Sequence, residues 1–233
     1  MKEYDPALPL IFIHVPKSGG KSVKSIFQLW YGDRLYPNYY NERTASLPEK
    51  LDLDSLCPDS RPIAVYGHFN RHRGFGIEDY YPEVKQFLTI IRDPFETAIS
   101  NYYFIQKIRG IFPDQSRIPE CSLREFLLTA PPNILNHFPR LVTRTNYRSL
   151  IDEYFIFIGV MEHLEQSVEC IRHKLGMPKL PGAVPHLNRT VRDEEAPESL
   201  REVYQDQHPL EFEVYQYVLS RMPRNETPAD FSA

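Results

Sequence analysis

Leu10-Ile11-Phe12-Ile13-His14-Val15-Pro16-Lys17-Ser18-Gly19-Gly20-Lys21-Ser22 decides how this chain is read. The run from Leu10 to Val15 is rich in β-branched and aromatic side chains and stops at Pro16, the pattern of a short buried strand. Two glycines follow, then a helix-compatible run from Val23 to Trp30. Strand, tight loop and helix in this order aim backbone N–H groups at whatever lies over the helix N-terminus, where the helix dipole favours an anion. Gly19 and Gly20 permit close backbone approach, and Lys17 and Lys21 add positive charge. The stretch therefore predicts a site for a phosphate-bearing ligand, cradled by Ser18, Gly19, Gly20, Lys21 and Ser22.

The loop departs from the nucleoside-triphosphate pattern G-x-x-x-x-G-K-[ST]. Gly20, Lys21 and Ser22 satisfy its end, but Val15 stands where its first glycine belongs. A second block narrows the reading. Phe87-Leu88-Thr89-Ile90-Ile91-Arg92-Asp93-Pro94 is another apolar run ending in a charged turn, and it continues as Phe95 to Tyr103 with helical character. Asp93 suits an N-cap and Pro94 a first helical turn. Arg92 then falls at a strand's carboxyl end, with Ser100 about two turns into the helix.

Together these blocks resemble the sulfotransferases that use 3′-phosphoadenosine 5′-phosphosulfate (PAPS). Pro16 to Ser22 is similar to that family's 5′-phosphosulfate loop, with Ser18 and Lys21 standing where threonine is usual. Arg92-Asp93-Pro94 with Ser100 is similar to its 3′-phosphate motif. Tyr66-Gly67-His68-Phe69 resembles the Gly-His element of the heparan sulfate 2-O-sulfotransferase-like carbohydrate branch, and His186 to Thr190 resembles a late nucleotide-covering segment. The likeness runs from about residue 10 to 220.

The resemblance implies a donor, PAPS, a product, adenosine 3′,5′-bisphosphate (PAP), and no metal. It implies Lys17 at the leaving phosphate and His68 as general base, with Arg189 and Thr190 also on the nucleotide. An unperturbed imidazole titrates close to neutrality, which suits a base. His72, Asn136, His137 and Arg140 are candidates for acceptor contacts, a solvated polar face being the equal alternative for the last three. Glu78 and Asp79 are reserve bases. The acceptor is expected to be a saccharide or small-molecule alcohol. Two alternatives stay open: a P-loop kinase, which Gly20-Lys21-Ser22 favours, and a nucleotide-binding module without turnover.

Composition is consistent with this. A length of 233 residues suits one domain, with a core at about 10–220 and peripheral tails at 1–9 and 224–233. The net charge of −4 argues against general nucleic-acid binding. No run is long enough for a membrane span and no leader pattern is visible, so a cytoplasmic location is expected. Cys57, Cys121 and Cys170 are scattered, which predicts free thiols. The resemblance leaves a homo-oligomer open.

Strand patterns at 10–15, 62–66, 86–92 and 154–160 alternate with helical ones at 21–31, 94–109, 123–129, 133–141, 162–175, 197–207 and 209–221. The segment 31–60 reads as loops with short helices. Such alternation predicts an α/β fold with a central, mainly parallel sheet flanked by helices, and the loop motif makes it P-loop-like. Ligands of such folds bind beyond the strands' carboxyl ends, where both anion motifs lie.

Overall fold

The computed structural model describes residues 1–56, 61–109, 118–185 and 196–223. Five strands form one sheet: β1 (Leu10–Ile13), β2 (Leu35–Asn38), β3 (Ala64–Gly67), β4 (Phe87–Ile91) and β5 (Phe155–Val160). Their order across the sheet is β2-β3-β1-β4-β5, and every pairing is parallel. Every residue of β1, β3, β4 and β5 is buried, as the continuous apolar runs require of a sheet covered on both faces.

The covering helices are α1 (Gly20–Tyr31), α2 (Leu53–Leu56), α3 (Ile77–Tyr80), α4 (Pro94–Lys107), α5 (Leu123–Thr129), α6 (Tyr147–Tyr154), α7 (Leu164–Leu175), α8 (Glu198–Gln207) and α9 (Pro209–Ser220). Asp93 caps α4, its side chain accepting from Glu96 N, and Pro94 opens the helix as its sequence predicts. Gly176 ends α7 with φ 63°.

Two local expectations are corrected. The segment 31–60 contains β2, concealed in the sequence by Pro37. Proline removes a ladder donor, so a strand holding one belongs at a sheet edge, and β2 is the edge. The helix expected at 133–141 shrinks to a single 3₁₀ turn at Leu135–His137. Pro139 accounts for this: a proline inside the run breaks a helix, and Phe138 before it is extended at φ −67°, ψ 154°. The buried Glu211 carboxylate accepts from Ile134 N at 2.6 Å and Leu135 N at 3.2 Å and anchors the turn.

The topology places the site. From β1 the chain leaves toward β3 and β2, and from β4 it leaves toward β5, so the switch point falls between β1 and β4. Ile13 pairs with Gly67 of β3 on one side and Thr89 of β4 on the other. The three carboxyl ends are fastened by specific contacts. Thr89 Oγ1 donates to Ile13 O at 2.7 Å. The Tyr66 hydroxyl donates to Gly20 O at 2.7 Å, while its ring stacks on Phe12 with centroids 4.6 Å apart.

Tyr66→Phe keeps the stack and deletes the bond to Gly20. It is expected to lower the unfolding free energy by about 1–2 kcal/mol in urea titration. An unchanged midpoint and slope would show that this bond does not hold the loop.

Candidate active site

The turn after β1 is built on two left-handed residues, Lys17 (φ 66°) and Gly19 (φ 75°). Gly20 must lack a side chain, because a Cβ there would lie 1.6 Å from His14 Nε2. At Gly19 a Cβ would lie 2.6 Å from Met161 Sδ. α1 starts at Gly20 with no acidic residue in its first turn and, among the described residues, no side chain capping it. Its N-terminal end thus keeps the positive potential that attracts an anion. Ser18 is buried, and its hydroxyl has no hydrogen-bond partner among the described residues. A buried hydroxyl costs stability unless something bonds it, so the cradle fits an oxyanion. Ser22 is buried beside it, and Lys21 faces solvent.

Lys17 stands at the centre of a cationic group. Burial foremost, then the charges of Arg92, Lys21 and Lys107, lower its pKa to about 8. The turn after β1 and the end of β4 therefore share one electrostatic neighbourhood, as adjacent strands about 4.8 Å apart should. Arg92 donates to Glu96 Oε2 at 3.0 Å, which uses one of the fork's donors. Ser100 lies two turns along α4, buried. Asp93 does not pair with Arg92. Its carboxylate caps α4 and accepts from Arg201 of α8, and its N–H donates to Glu162 at 3.1 Å.

On the β3 side stand three imidazoles. His68 stacks on His14 with centroids 3.9 Å apart, and its Nδ1 lies 2.6 Å from His14 O. A carbonyl only accepts, so Nδ1 carries the proton and Nε2 holds the lone pair. Burial above all lowers the His68 pKa to about 4, so the ring is neutral near pH 7. His14 is likewise held well below its usual value by burial and then by His68, His137, Lys24 and Lys17. It thus senses both the loop lysine and the candidate base. Tyr39 from β2's end packs edge-on against His68 and lies 3.3 Å from His14 Nδ1.

The remaining candidates divide. His137 is not on a solvated face: it is buried, bonded to Phe69 O through Nδ1, with its pKa lowered to about 3, chiefly by burial. His72 is exposed on the turn Arg71–Arg73. Asn136 donates to its own loop at Pro132 O, 3.0 Å. Arg140 is not brought to the site. It donates to Pro82 O and Pro139 O and lies over Tyr154, at the strands' amino ends. Glu78 is ion-paired with Arg71 at 2.6 Å. Arg189, Thr190 and the rest of His186 to Thr190 lie outside the described residues, as does Cys57. Among the described residues no group of His, Cys, Asp and Glu is arranged to hold a metal, and no helix is long and apolar enough to cross a membrane.

A model described as "Sulfotransferase family" matches residues 4–221. The chain belongs to the sulfotransferase family. Its parallel sheet and glycine turn are those of the P-loop-like nucleotide-binding fold. Among solved structures, a mouse sulfotransferase complexed with PAP is similar at 12% identity and TM-score 0.47, over 88% of this chain and 65% of that one. A retinol dehydratase in complex with androsterone and inactive cofactor PAP is similar at 13% identity and TM-score 0.38, over 91% of this chain and 66% of that one. The chain thus spans just under two thirds of the length of either. No curated protein matches it.

Three residues of this neighbourhood carried no sequence-based assignment: His14, Tyr39 and Phe104. His14 could have been noticed as a polar residue closing an apolar strand. Phe104 could have been noticed four residues after Ser100, on the same helix face.

The buried imidazoles make stability pH-dependent. His68 and His137 have lower pKa values folded, about 4 and about 3, than the usual value near 6.5 when unfolded. The unfolded chain binds more protons below that value, so their contribution is full above about pH 6.5 and is lost as pH falls through about 4. Urea titrations between pH 7 and 4 are expected to show falling stability. His137→Gln should flatten the slope; an identical slope would refute the assignment.

Proposed function

We propose that this chain moves a sulfonate group from PAPS to an acceptor hydroxyl, releasing PAP. The observation that carries the reading is the shared cationic neighbourhood of Lys17 and Arg92, set on adjacent strand ends beside an uncapped helix N-terminus. Bound PAPS supplies a sulfonate already joined to a good leaving phosphate.

In this reading Ser18, Gly19, Gly20, Lys21 and Ser22 hold the 5′-phosphate, and Arg92 and Ser100 hold the 3′-phosphate. Arg–phosphate contacts are charge-assisted and can be bidentate, which fixes orientation as well as affinity. Arg189 and Thr190 are assigned to the nucleotide from sequence alone. Lys17 neutralises the bridging oxygen as its bond to sulfur breaks, and that oxygen leaves with the phosphate. His68 Nε2 accepts the acceptor's hydroxyl proton as the new sulfur–oxygen bond forms. Its neutral, Nδ1-protonated state is the one a base needs. An anion placed nearby raises an imidazole's proton affinity, so the nucleotide itself would offset the effect of burial.

We assign the acceptor to hydroxyls of saccharides. Gly67-His68 supports this through its likeness to the carbohydrate branch, and the cation Lys24, which acts on His68, suits an acceptor carrying negative charge, while Arg73 nearby is ion-paired with Glu42. Residues 1–233 are taken as one sulfotransferase domain.

PAP at 100 times its dissociation constant is expected to stabilise the fold by about 2.7 kcal/mol, with far less effect from equal ATP. Labelled PAPS should transfer its sulfonate to a member of a glycan panel without added magnesium. His68→Ala should cut that rate by roughly 10²–10⁴-fold while leaving stabilisation by PAP intact. Equal stabilisation by ATP with magnesium-dependent turnover would favour a kinase. Wild-type transfer by His68→Ala would move the base elsewhere.

A further inference from the structure

The Lys17 ammonium lies over the face of Phe104, with Nζ 4.1 Å from the ring centroid. An aromatic face carries negative quadrupole density and attracts a cation at this range. The partners come from different elements, Lys17 from the turn after β1 and Phe104 from α4. Phe104 is 42% exposed, so core burial is a weak reason for an aromatic residue there. It stands one turn beyond Ser100, on the face of α4 that the 3′-phosphate motif uses.

The surroundings explain why the ring matters. The charges of Arg92 at the end of β4, Lys21 on α1 and Lys107 on α4 all act on the Lys17 ammonium and disfavour its charge. Glu96, the carboxylate in the first turn of α4, is bonded to Arg92. The Lys17 backbone itself lies in the left-handed region, at φ 66°. The aromatic face is therefore the negative counterpart the ammonium meets.

We propose that Phe104 is the positioning residue of Lys17: its ring keeps the ammonium charged and seated over the turn, so that one face of α4 carries both the 3′-phosphate grip and the seat of the leaving-group lysine. What the ammonium does there rests on the sulfotransferase reading. That it is held by the ring does not.

The test separates the two. In the full chain without nucleotide, the pH dependence of Lys17 acylation by an amine-reactive ester is followed by mass spectrometry. Phe104→Leu is expected to move the midpoint down by about half a unit to one unit, the size of a lost cation–ring contact. Phe104→Tyr should restore it. Under turnover, the alkaline limb of kcat/KM for PAPS should shift down by the same amount in Phe104→Leu, with the acceptor KM unchanged. Circular dichroism monitors folding, and Phe104→Met replaces the leucine variant if that one unfolds.

An unshifted Lys17 midpoint in the aliphatic variant overturns the proposal. So does a change confined to acceptor KM, which would make the ring a wall of the acceptor site. If no transfer occurs with any acceptor, the catalytic reading fails, while the acylation midpoint still decides the role of Phe104.

Discussion

The site depends on a backbone turn with no room for side chains at two consecutive positions. One side of the Gly19–Gly20 turn touches Met161, and the other touches the His14 ring. That ring is also the floor on which His68 stacks, and the His14 backbone oxygen accepts a hydrogen bond from His68 Nδ1. The anion cradle and the candidate base are thus parts of one packed unit. Tyr66 closes it, reaching from β3 to Gly20. Such packing leaves discrete arrangements rather than a continuum, because close-packed interiors transmit displacement instead of absorbing it.

Charge is divided across this unit. The β4 side collects cations, with Arg92, Lys21 and Lys107 acting on Lys17. The β3 side keeps its imidazoles neutral by burial. Folding alone gains nothing from crowding ammonium and guanidinium groups, nor from burying rings that prefer to protonate in acid. Both features oppose stability and both become favourable when a multiply charged anion arrives, the usual relation between stability and function at a binding site. Asp93 and Arg201 stand apart from this exchange. Their pairing ties α8 to the start of α4, so the acidic residue of the Arg92 motif serves the scaffold.

Much of this was legible from local pattern. Long apolar runs ending in charged turns announced β1 and β4, and a strand–glycine–helix sequence announced the turn before α1, because strand burial and a glycine turn are both written in consecutive residues. What escaped depended on distant contacts. β2 was hidden because Pro37 is unfavourable in most strands and acceptable only at an edge, and edge position is a property of the sheet. His137 read as a candidate acceptor contact or part of a solvated polar face, yet Glu211, far along the chain, holds its turn inward. Arg140 read as a candidate acceptor contact or part of a solvated face, yet carbonyls from two loops engage it at the opposite end of the sheet. Lys17's seat on Phe104 likewise needs two segments to meet.

Lys17 itself gives the most direct sign that the turn was shaped by chemistry. It is one of two non-glycine residues among those described with positive φ, the other being Ala45. A side chain in that conformation costs about 1–2 kcal/mol relative to glycine. Glycine occupies the neighbouring positions 19 and 20, where contact forbids a Cβ, so the turn readily accommodates it. At position 17 glycine would relieve the backbone and remove an ammonium whose charge burial and three neighbouring cations already oppose. Both the backbone and the electrostatic terms therefore favour its loss. Lysine in that place supplies what glycine cannot, a positive charge at the turn, and under the proposed sulfonate transfer that charge is what the backbone strain is set against.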